Sequence, residues 1–240
     1  MIGAYILIVF GVAVWAAAIP LGRRIPDGVV RGITVFGGAF LLGVCFMHLV
    51  PEMASDSEDM LPFYAVLAGF LVQQLLDGLT AHAEHGHLES EGRRVKSGKR
   101  GAEIGVTGLM IGLSLHALLE GMPLVGVDGK VDRGLLLGIV IHNIPVALIM
   151  VGMMLELGYG FWRVLGLLLL FGAMSPLGSL FNIYVLQPDE NVLHIIQGRV
   201  VGVLLHVSSS ILFDHKRNNF TWLNIGLTLM AFAVVFLVVK

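Results

Sequence analysis

The residues best suited to chemistry lie in the run Gly112-Leu113-Ser114-Leu115-His116-Ala117-Leu118-Leu119-Glu120-Gly121-Met122-Pro123, where a histidine and a carboxylate stand four apart in apolar surroundings. On a helix that spacing stacks both on one face, one turn apart. A partial echo, Ile141-His142-Asn143-Ile144-Pro145, follows in the next apolar stretch. Imidazole nitrogens combined with carboxylate or amide oxygens suit a borderline divalent cation, so His116, Glu120, His142 and Asn143 are the candidate metal ligands. A charged carboxylate in hydrocarbon costs about 3 kcal/mol on insertion scales, and no basic residue of the same stretch can pair with Glu120. A protonated Glu120 hydrogen-bonded to His116 or His142 would lower that cost. A divalent cation would compensate the carboxylate and use the imidazoles at once.

The elements that must position these groups are membrane helices. Of 240 residues, 56% are hydrophobic and 13% charged, where a soluble domain keeps about 25% charged. Runs of about 20 apolar residues, enough to cross a hydrocarbon core of about 30 Å, occur at roughly 2–20, 31–51, 61–81, 103–125, 133–157, 162–186, 198–214 and 221–239. The first lacks a basic leader region and runs into Arg23 and Arg24, so it reads as a span rather than a secretory signal. The expectation is an all-α polytopic bundle of about eight transmembrane helices, one domain over 1–240, in a plasma or organelle membrane. With the N-terminus outside, eleven of the 15 Lys and Arg residues fall in cytosolic connections. The C-terminus then lies outside as well, and a histidine-containing loop at about 82–102 lies in the cytosol. The balance of 15 basic and 17 acidic residues leaves no basic face for nucleic acid. Cys45 is the single cysteine and reads as a packing residue.

Further polar groups interrupt the apolar runs. His48 and Glu52 close the second span in His48-Leu49-Val50-Pro51-Glu52, where the histidine could reach interfacial water or admit metal. Asp77, near the end of the third span with Gln73 and Gln74, is expected either to face a cavity or the bundle interior or to lie at the interface. His82, Glu84, His85 and His87 in the following loop suit weak binding of a divalent metal. His206, in the seventh span, reads more as a hydrogen-bonding group to a neighbouring helix than as a ligand. Pro123, Pro145 and Pro176 cannot donate to the carbonyls one turn earlier, so helices four to six should bend and free backbone oxygens. Broken helices at mid-depth mark substrate sites in transporters.

Together these motifs resemble the ZIP-type (zinc- and iron-regulated transporter-like) metal transporters. His116-Ala117-Leu118-Leu119-Glu120-Gly121 is similar to the family's fourth-helix signature and His142-Asn143-Ile144-Pro145 to its fifth. His48-Leu49-Val50-Pro51-Glu52 and Ser175-Pro176-Leu177-Gly178 add further likeness. The resemblance implies import of Zn2+, or of Cd2+, Fe2+ or Mn2+, toward the cytosol between helices four and five. It also implies an elevator-like motion of spans one, four, five and six. It makes His116, Glu120, His142 and Asn143 the ligands; His48, Glu52, Asp77, Ser175 and His206 stand beside them as candidates for the pathway. Members with two metals carry oxygen donors where this chain has Ala117 and Val146, and a glutamate where it has Ser175, so one intramembrane metal is expected. The partners implied are the metal ion and membrane lipid, with a homodimer as an open candidate.

The competing class is an intramembrane zinc hydrolase, in which three of His48, His116, His142 and His206 would bind zinc and a metal-bound water would attack. No His-Glu-x-x-His motif supports it.

Overall fold

A computed structural model describes Gly11 and residues 25–56, 59–88, 99–213 and 222–238. The expected first span, 2–20, lies almost wholly outside them, as do the side chains of His82, Glu84, His85 and His87. Helix α1 (Asp27–Val44) continues through a π turn (Cys45–Leu49) into α2 (Val50–Asp56). There follow α3 (Leu61–Leu88), α4 (Lys99–Gly121), α5 (Arg133–Glu156), α6 (Phe161–Phe181), α7 (Glu190–Phe213) and α8 (Trp222–Val238). Among the described residues, six stretches are long and apolar enough to cross a membrane: 28–55, 61–78, 107–124, 133–156, 161–186 and 190–213. Helix α8 is apolar but shorter. The protein is thus an all-α, integral, multi-pass membrane protein.

Local chemistry sets the helix limits. Pro26 precedes α1, and Asp189 caps α7 by accepting from Val192 N–H at 2.8 Å. The polar residues Glu190, His194 and Gln197 hide the first turns of α7 from a hydropathy count, which starts that span at 198. Helix α3 likewise outruns its apolar stretch and carries the backbone of His82–His87, where a loop was expected. Gly158, at φ 78°, ends α5 in a left-handed turn. Pro123 does not bend α4. The helix ends at Gly121 and passes into a 3-10 turn over Met122–Leu124, because the proline sits where its missing N–H would otherwise have continued the ladder. Pro145 and Pro176 do lie inside α5 and α6.

Among the described residues, two apolar clusters hold the bundle. One joins α1, α5, α7 and α8 through Phe40, Leu41, Ile139, Leu204 and Val235. The other joins α4, α5 and α6 through Met110, Ala117, Ala147, Met150 and Phe171. His142 and Asn143 lie on α5 between Ile139 of the first and Ala147 of the second, so the polar pair occupies the seam. With lipid as apolar as a side chain, close helix approach does the work. Helices α4 and α6 meet backbone to backbone at Gly178 against the Leu118 carbonyl, and α3 and α7 at Gly202 against the Val66 carbonyl. A Cβ at either glycine would land on that carbonyl. Exposed Trp162 and Trp222, at the starts of α6 and α8, suit an interfacial belt.

Gly202→Ala should therefore lower the melting temperature in detergent by pushing α3 from α7, a cost of about 1–3 kcal/mol. Gly152→Ala, at a helical site with open space around it, should leave the melting temperature unchanged or raise it.

Candidate metal centre

His116 and Glu120 leave the same face of α4, with Nε2 and Oε2 3.7 Å apart. Across the seam, the His142 ring lies 5.9 Å from that of His116, centroid to centroid, at 76°. All four groups are deeply buried: Glu120 is 0% exposed, His142 2%, and His116 and Asn143 4% each. His116 Nε2, both Glu120 oxygens, His142 Nδ1 and Asn143 Oδ1 have no hydrogen-bond partner. An unmet buried polar atom costs about 1–3 kcal/mol, more if charged, so five such atoms at one seam are expensive unless a ligand completes them. Two imidazoles on one tetrahedral Zn2+, each nitrogen about 2.0–2.1 Å away, place their centroids about 5 Å apart. The observed separation is close to that, and His116–Glu120 needs to tighten by only a few tenths of an ångström.

The tautomer of His116 follows from its surroundings. Asp77 Oδ1 accepts from Gln73 Nε2 at 2.8 Å, which turns the Gln73 carbonyl toward His116 Nδ1 at 3.3 Å. The Nδ1–H donates to it, and Nε2 presents a lone pair on the Glu120 side. Asp77 Oδ2 accepts from His206 Nε2 at 2.9 Å. Such outer hydrogen bonds orient a histidine ligand and raise its basicity. His206 thus makes an interhelical bond, and Asp77 reaches both His206 and Gln73 while its side chain stays 46% exposed.

Ser175 is buried on α6, its backbone against Gly121 of α4. His48, in the π turn between α1 and α2, is hydrogen-bonded to Asp132 and lies 3.6 Å from Glu52 of α2, apart from the four buried groups. Among the described residues, the metal-type donors of His48, Glu52 and Asp132 form the set of three within 4.8 Å of one another. His116, Glu120 and His142 are more open, as the separations above show. From the sequence alone, Asp132 takes no role and Gln73 is named only alongside Asp77. Asp132 offered only its place before a helix, and Gln73 only its i, i+4 register with Asp77.

Comparison with models of protein families matches residues 77–237 to the ZIP zinc transporter. No curated protein matches the chain.

Gln73→Leu should leave the His116 ring without its Nδ1 partner and weaken the tightest Zn2+-binding step about 10–100-fold. Gln74→Leu, at an exposed neighbour, should leave it unchanged. Calorimetric titration of both variants checks this, and equal affinities would remove Gln73 from the centre.

Proposed function

The chain belongs to the ZIP zinc transporter family, membrane proteins that carry divalent metals and are not enzymes. From that premise we propose that it imports Zn2+ toward the cytosol through a site formed by His116, Glu120, His142 and Asn143. The observation that carries the proposal is the buried His116, 3.7 Å from Glu120 and 5.9 Å ring to ring from His142, with unpartnered donor atoms on all three residues. Imidazole, carboxylate and amide together accept Zn2+ and also Cd2+, Fe2+ or Mn2+. Glu120 supplies the charge that draws the cation from water, His116 and His142 supply directional nitrogens, and Asn143 adds a neutral oxygen.

One ion fills the site at a time. Ala117 is fully buried in the α4–α6 apolar cluster, and Val146 packs against the same cluster, so hydrocarbon stands where a second ion would need oxygen. Two divalent ions 4 Å apart repel by about 17 kcal/mol at an effective dielectric of 20, and Glu120 alone cannot offset that. Asp77, Gln73 and His206 hold the site's shape from the α3–α7 side.

Radiozinc uptake by cells expressing the chain tests both direction and site. Glu120→Gln, His116→Ala and His142→Ala should each reduce uptake at least tenfold at equal membrane abundance. Wild-type rates in all three would refute the shared site, and export in place of accumulation would refute the direction.

A further inference from the structure

We propose that His48, Glu52 and Asp132 form a second divalent-cation site at the end of the bundle that carries the α4–α5 connection, separate from the buried centre. Asp132 lies ten positions before His142 on the same helical segment, a rise of about 15 Å, so the two sites share no ligand.

The triad is built by local structure from three directions. Pro51 has no N–H to give the carbonyl one turn back, and the preceding turn widens to a π turn in which Val50 N–H bonds to the Cys45 carbonyl. His48 sits in that turn. Opposite it, Gly129, at φ 75°, turns the α4–α5 connection, Val125 pairs with Val131, and Asp132 N–H bonds to the Leu124 carbonyl at 3.0 Å. Asp132 then caps α5 by accepting from Leu135 N–H at 2.9 Å. Finally, Gly134 leaves the space into which the His48 ring fits, since a Cβ there would strike the imidazole.

The donor geometry suits one small cation. His48 Nε2 is 2.8 Å from Asp132 Oδ1 and 3.6 Å from Glu52 Oε2. Donors about 2.0–2.1 Å from a tetrahedral ion are about 3.3 Å apart, between those two values. The Asp132 side chain is 9% exposed, yet its Oδ2 has no hydrogen-bond partner. The helix cap and His48 both meet Oδ1, which leaves Oδ2 as a further oxygen for a ligand. Two carboxylates meet one imidazole here, and Lys130, the near basic residue of the connection, is held by Asp128 at 2.6 Å. In the metal-bound state the cation replaces the proton that His48 shares with Asp132. His48 and Glu52 stay partly exposed, so three protein ligands leave a position for water. That is the open form of an exchanging site rather than the closed four-ligand form of a structural one.

A purely structural His48–Asp132 bond would predict no metal here, and cadmium counting separates the two. The full chain in lipid nanodiscs is given Glu120→Gln and His142→Ala to disable the buried centre, with His82→Ser, His85→Ser and His87→Ser to silence the α3 tract. Equilibrium dialysis against Cd2+ with elemental analysis should find one ion per chain. Adding His48→Phe, which fills the same space without a lone pair, or Asp132→Asn, which keeps the helix cap, should weaken that binding at least tenfold. No Cd2+ in the five-substitution background, or Cd2+ indifferent to both further changes, would overturn the proposal. The ion lost on disabling the buried centre reports on that centre alone, so either site can fail without the other.

Discussion

The cost of a carboxylate without a cation in an apolar seam governs the rest of this structure. Glu120 is fully enclosed, its near polar neighbour is His116, and its stretch of α4 holds no lysine or arginine. A packing-only bundle could replace it with leucine and gain stability, as buried ionic groups often can be replaced. Its presence beside His116, whose ring in turn meets that of His142, all with unmet atoms, makes sense when a mobile divalent ion supplies the missing charge. The seam between the two apolar clusters is where such an ion can be held without unpacking either one.

Holding donors ready without an ion requires a rigid surround. Close helix contacts at Gly178 and Gly202 fix the backbones, while the Gln73–Asp77–His206 chain fixes the His116 tautomer from a different helix pair. The same division recurs at the bundle end, where a π turn, a helix cap and Gly134 fix His48 against Asp132. Each metal-type cluster is thus assembled by helices from separate parts of the chain, and both include a donor residue from the segment that begins at Asp132.

Much of this was legible in the sequence because hydropathy and helical register are local. Apolar runs located the six long spans, and the i, i+4 spacing placed His116 beside Glu120. Helix ends were less legible. Polar first turns concealed the start of α7, and the backbone ladder carried α3 past its apolar segment to Leu88. Pro123 read as a kink because sequence does not reveal whether a helix resumes beyond a proline. The partnership of His48 with Asp132, 84 residues apart, and of Gln73 with His116 depends on which helices pack together. Aspartate before a helix looks the same whether it only caps or also meets a histidine from another helix.

The account rests on a single ion held between α4 and α5. Anomalous diffraction from crystals of the full chain grown with Cd2+ tests this directly. One peak within ligand distance of His116 Nε2, Glu120 and His142 Nδ1 is the predicted result. An empty seam in crystals that bind Cd2+ elsewhere, or two full peaks there within about 4 Å, would contradict it.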